Sequence, residues 1–143
     1  MSRTFTEDYA NGVSQQHKNQ RRITKLMGCP MKATENNFHP MDFVDEDDDK
    51  HFGEHKWRGN ISYDTLLNKC GGTVWIGLNK INYLRENRGR ATFFWELSDG
   101  LYKADYDEEF HTFPTQFHAR NRPDKSNDAS WVVDVPLTKL VKV

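Results

Sequence analysis

The chain has 143 residues and a mass of 16.8 kDa, with 36% hydrophobic and 29% charged residues, a mean hydropathy of -0.89 and a net charge of -1. That is room for one domain, with or without an arm, and Ile, Leu, Val and Phe together make up only about a fifth of it. No apolar run approaches the roughly 20 residues of a membrane helix, no charged-then-apolar start reads as a signal peptide, and Cys29 and Cys70 are too few for a disulfide scaffold, so a cytoplasmic protein without membrane contact is expected.

Charge and apolar residues are unevenly spread. Residues 1–30 carry a net charge of +3 and residues 31–64 a net charge of -5. Apolar residues stand singly before Trp57 and form dense runs after Ile61. This predicts an N-terminal arm over residues 1–60, extended or weakly helical, and a compact, antiparallel, β-rich domain over residues 61–143. The fold class expected is α+β: a small antiparallel sheet with one or two short helices and the arm.

Within the arm, residues 14–27 can form a helix that stops at Gly28 before Pro30, with a thin apolar stripe of Ile23, Leu26 and Met27. Lys18, Arg22 and Lys25 fall at i, i+4, i+7 on it and, with Arg21, offer cations that could lie along phosphates. The acidic run that follows, Asp42 and Asp45 to Asp49, lacks the glycine and glutamate of a calcium-binding loop at the required places. It reads as a solvated tract kept open by like-charge repulsion, or as a counterpart to the basic helix. His51 and His55 stand at i, i+4. On one helical turn they would face the same way, with His39 and Asp42 upstream as further ligands, Glu54 as a base, and His111 or His118 as a third ligand. Gly53 interrupts that turn, and Phe52 occupies the place of the zinc-protease glutamate. No metal and no cofactor are therefore expected.

The second half is more regular. Tyr63–Lys69 reads as a helix capped by Asn60 or Ser62 and stopped by Gly71-Gly72. Cys70 sits at its end, where the helix dipole would disfavour a thiolate. Thr73–Asn79 alternates Val74, Ile76 and Leu78 and predicts a strand. Arg85, Arg88 and Arg90 precede Phe93-Phe94-Trp95, a composition that suits stacking on single-stranded nucleic acid. The strongest local signal is Asp99-Gly100 between alternating apolar segments, a two-residue hairpin turn. It would pair Leu97 with Tyr102, Trp95 with Ala104 and Phe93 with Tyr106 on one buried face, and Glu96 with Lys103 on the other. Glu109–Phe113 and Thr138–Val143 are candidates for short strands, and Ala129–Val135 is a strand ended by Pro136.

Val74-Trp75-Ile76-Gly77-Leu78-Asn79 is similar to the first ribonucleoprotein strand of RNA-recognition motifs, and Arg88-Gly89-Arg90-Ala91 begins like the second. The eight residues between Asn79 and Arg88 are too few for the helix and strand which that family places there. Trp75-Ile76-Gly77-Leu78, then Trp95 to Gly100, then Trp131 with Asp134 looks like the strand order of C-type lectin domains, without their later cysteines or calcium carboxylates. Neither resemblance assigns a residue. No nucleophile elbow, phosphate loop or dinucleotide fingerprint occurs. The function expected is a non-enzymatic interaction protein, an assembly subunit or an inhibitor, with another protein as partner. The alternatives are a nucleic-acid-binding accessory protein, through Lys18, Arg21, Arg22, Lys25, Arg85, Arg88 and Arg90, and a metal-dependent hydrolase or nuclease.

Overall fold

The computed structural model describes residues 17–34, 39–121 and 127–143, with side chains at 119–121 and 127–129 left aside. Residues 14–16 of the expected first helix lie outside the described part. Helix α1 covers residues 17–27 and β1 Met31–Ala33. Strands β2 (Phe43–Asp45) and β3 (Asp48–Arg58) follow, then helix α2 (Tyr63–Lys69), strand β4 (Thr73–Gly77) and helix α3 (Leu78–Glu86). Strands β5 (Arg90–Leu97) and β6 (Gly100–Asp105) form a hairpin. A 3-10 turn at Glu108–His111, strands β7 (Thr115–Asn121) and β8 (Asn127–Pro136), a second 3-10 turn at Leu137–Lys139 and the short β9 (Val141–Lys142) complete the chain.

The α+β class holds, and the strands form two sheets. One has six strands in the order β1-β2-β3-β5-β6-β9 and is mixed, because β3 runs parallel to β5 while its other pairs are antiparallel. The other is antiparallel, in the order β4-β8-β7. A parallel neighbour needs a crossover, and α2, β4 and α3 supply it between β3 and β5. The expected boundary at residue 60 falls at the start of this crossover. The sheet runs across it: β3 pairs with β5 over eight residues, from His51 with Arg90 to Arg58 with Leu97. The described residues before Trp57 thus build half of the larger sheet, and are not an arm lying apart from it.

Alternation along β3 and β5 separates two cores. Phe52, Phe93, Trp95 and Leu97 face a large core with Ile81 and Leu84 of α3, Val74 and Ile76 of β4, and Val133 and Val135 of β8. The opposite face carries Phe43 and Phe94, which pack with Met31 and with Ile23 of α1. The thin stripe foreseen on the first helix suffices because α1 lies close to the sheet. A Cβ on Gly53 would stand 3.0 Å from Ile23 Cγ1 and 3.2 Å from Met27 Cγ. Any larger residue there would press the Ile23 and Met27 side chains away from β3.

Three local expectations are corrected. The hairpin has the expected strands and buried face, but its register is shifted by two: Leu97 opposes Gly100, Trp95 opposes Tyr102 and Phe93 opposes Ala104. Its loop is Ser98-Asp99, and neither residue takes the positive φ of the expected turn. Tertiary contacts hold it there, since Ser98 N donates to Ile61 O (2.9 Å) and Asp99 Oδ1 accepts from Tyr63 N (3.0 Å). A shift of two preserves the faces. Second, the strand from Thr73 ends at Gly77 and turns into α3, whose Ile81 and Leu84 are buried one helical turn apart. Third, the segment around Glu109–Phe113 is a 3-10 turn burying Phe110, and Thr138–Val143 yields only a two-residue strand after another such turn. The α2 helix is as expected, with Ser62 as its cap.

Candidate functional site

Both polar clusters of interest hang from β3. His51 and His55 are indeed on one face, but of a strand, so they are separated along it and do not share a helical turn. Each has its own partner. His51 Nδ1 lies 3.0 Å from Asp45 Oδ2, and His55 Nε2 lies 2.8 Å from Glu96 Oε2. Glu96 also accepts from Arg22 of α1 at 2.8 Å, so it ties α1, β3 and β5 together and is not opposite Lys103. His39 Nδ1 accepts from Met41 N (3.0 Å), which leaves its Nε2 to donate to the Tyr83 hydroxyl (3.0 Å). Asp42 is exposed. His111 is bonded to Tyr106 and His118 lies against Trp75. The expected ligand set is held in separate environments.

The structure gathers a different set. Cys29, from the turn after α1, joins Asp45 and His51, and their potential ligand atoms lie within 4.8 Å of one another. The acidic run around them is no open tract. Glu46-Asp47 form the turn between β2 and β3, with Asp45 opposite Asp48. Asp45 Oδ1 accepts from Asp47 N at 2.9 Å and Asp48 Oδ1 from Lys50 N at 3.0 Å, while Asp48 Oδ2 pairs with Arg90 at 2.7 Å. Like charges are tolerated here because the carboxylates accept from main-chain N–H groups and cations. The Asp47 amide and then His51 hold the Asp45 carboxyl below its ordinary range. Burial, and next the Asp45 carboxylate, push the Cys29 thiol up.

On the other face of β3, Glu54 is fully buried in the large core. Its Oε1 accepts from Asp42 N (2.7 Å) and from Lys80 Nζ of α3 (3.2 Å). Its Oε2 is buried without a hydrogen-bond partner among the described residues. Desolvation outweighs the attraction of Lys80 and raises the carboxyl to about 7. Nothing in the composition of Asp48–Arg58 marks Glu54 for burial, since five other charged residues flank it in that strand. Lys80 was equally invisible.

The basic candidates divide. Arg22, Arg85 and Arg90 are paired with Glu96, Glu108 and Asp48. Lys18, Arg21 and Lys25 are exposed on α1, and Arg88 is exposed with a positive φ of 54°. The aromatics beside the arginines offer no stacking surface, because Phe93, Phe94 and Trp95 are all buried. Exposed rings stand elsewhere. Each strand of the smaller sheet presents one: Trp75 on β4 (43% exposed), Phe117 on β7 (56%) and Trp131 on β8 (52%). Phe117 and Trp131 are direct cross-strand partners with ring centroids 5.7 Å apart. Trp131 alternates with Val133 and Val135, so it continues the core side of β8 past the point where the core ends. Trp75 also forms one wall of a groove of about 350 Å³, with Ile61, Leu66, Trp95 and Leu97.

No family model matches the chain, and no curated protein or solved structure matches it either. Among the described residues, no helix is long and apolar enough to cross a membrane.

Proposed function

We propose that this protein is a non-enzymatic interaction protein that docks another protein on its smaller sheet. One observation supports the reading: on one face of that sheet Phe117 and Trp131, direct cross-strand partners, stand more than half exposed among the described residues, while Trp75, opposite Asp134, lies on the other face. Exposed Trp and Phe cost solvation and are enriched at the centres of protein interfaces, where each can account for 2 kcal/mol or more of binding, as an order of magnitude. Among the described residues, strand β7 has β8 as its one neighbour in the sheet order. An extended segment of a partner can therefore add beside β7, with its apolar side chains against Phe117 and Trp131.

A second reading, binding to nucleic acid, rests on Lys18, Arg21 and Lys25, which are exposed on α1 and make no ion pair among the described residues. One experiment separates the two. Proteins captured from the native host by the wild type are compared with those captured by the double variant Phe117→Ser, Trp131→Ser, and by the triple variant Lys18→Ala, Arg21→Ala, Lys25→Ala, each with and without nuclease. Capture that survives nuclease and disappears with the aromatic substitutions supports docking on the sheet. Capture abolished by nuclease or by the lysine and arginine substitutions alone refutes it in favour of phosphate contacts, whose affinity falls steeply with salt.

A further inference from the structure

We infer that Cys29, Asp45 and His51 form a binding site for one zinc ion, with a fourth position open to water. The three donors come from separate parts of the chain: the turn after α1, the end of β2 and the body of β3. Asp45 and His51 meet across the β2–β3 turn, and the fold brings Cys29 to within 4.8 Å of both. Tetrahedral zinc, with bonds of about 2.0–2.3 Å, sets its ligand atoms roughly 3.3–3.6 Å apart. Asp45 Oδ2 and His51 Nδ1 already lie 3.0 Å apart and all three donors lie within 4.8 Å of one another, so small movements bring the set to that spacing.

Hydrogen bonds hold the Asp45 carboxylate and the segment that carries Cys29. Asp45 Oδ1 is held by the Asp47 amide, which leaves Oδ2 directed toward His51. The segment bearing Cys29 is tied at both ends. Gly28 N donates to Thr24 O at 3.0 Å on one side, and Pro30 O accepts from Glu46 N at 2.9 Å on the other. Met31 N donates to Thr24 Oγ1 (3.1 Å), and Met31 opposes Asp45 in the β1–β2 ladder. The Cys29 thiol lies 3.7 Å from Met31 Sδ, a weak acceptor, and beside the Asp45 carboxylate.

The donor set selects the ion. Calcium and magnesium take oxygen ligands, whereas one sulfur, one imidazole nitrogen and one carboxylate oxygen suit a borderline-soft cation such as zinc. A thiolate and a carboxylate neutralise its two charges, and the imidazole completes three protein ligands. Side by side without a cation, the thiolate and the carboxylate would repel each other. A bound ion would also clamp the end of α1 to the β2–β3 turn, apart from the smaller sheet and independently of what docks there.

The test uses the full chain, freed of metal by chelation and kept reduced, and titrated with zinc and with cobalt as a spectroscopic probe. The expected result is one equivalent bound, with a thiolate-to-cobalt charge-transfer band that zinc displaces. Cys29→Ser should abolish the band, His51→Gln should weaken binding at least about tenfold, and Cys70→Ser should leave both unchanged. Should either variant fold poorly, alkylation of the wild type decides: zinc should protect Cys29 roughly tenfold or more while the exposed Cys70 reacts at an unchanged rate. No saturable binding, a cobalt complex without the thiolate band, or equal alkylation of Cys29 with and without zinc would overturn the assignment.

Discussion

Glu54 should make the protein less stable at pH 8 than at pH 5, and Glu54→Gln should remove that dependence. Its carboxyl has an ordinary value of 4.5 in the unfolded chain and about 7 in the folded one, where burial disfavours the anion more than Lys80 and the Asp42 amide favour it. Between those values the unfolded state binds fewer protons than the native state, so stability falls as pH rises from about 4.5 to about 7 and is level above. Integrated from pH 5 to pH 8, the two values give a loss of about 2–3 kcal/mol from this one group. Glutamine keeps the oxygen that accepts from Asp42 N and Lys80, and it cannot ionise. It places an amide where Oε2 lacked a partner, a cost that is the same at both pH values and cancels in the comparison. Urea unfolding of both proteins at pH 5 and pH 8 provides the four free energies. The wild type should lose about 2–3 kcal/mol more than the variant over that interval. Equal losses would refute the reasoning and mean that Glu54 is ionised in the folded protein at pH 5, with water or a rearranged Lys80 satisfying it.

Two further predictions concern the cores. Gly53→Val should destabilise by about 1–3 kcal/mol, because its side chain would enter the space held by Ile23 and Met27 of α1; an unchanged urea midpoint would show that the helix is not seated on β3. Trp95→Ala should cost about 3–5 kcal/mol, since the ring is 1% exposed beneath both sheets and its Nε1 donates to Trp75 O. A loss under 1 kcal/mol in thermal or urea unfolding would contradict that burial.

What the chain alone determined is what alternation and capping within a few residues of one another determine. The strands on either side of Asp99 share an apolar face because Phe93, Trp95, Leu97, Tyr102 and Ala104 occupy every second place, and that holds for either register. Ser62, Asp64 and Lys69 surround a short helix with the groups its ends require, and the structure has it within those bounds. The register of the hairpin was decided elsewhere, by Ile61 and Tyr63 binding its loop. Strand β3 lay beyond local reading altogether. Its Asp48–Arg58 segment is mostly charged, and it becomes an inner strand because β5, about forty residues later, supplies a parallel edge. The same distance hides the candidate sites. Asp45 and His51 are joined by a turn, but Cys29 reaches them only once α1 packs on Gly53, and Glu54 becomes buried only when α3 brings Lys80 over it. A residue's own neighbours set its preference for helix, strand or turn, whereas the loss of water around a charge or thiol depends on segments far away in the chain, and only the folded arrangement contains that information.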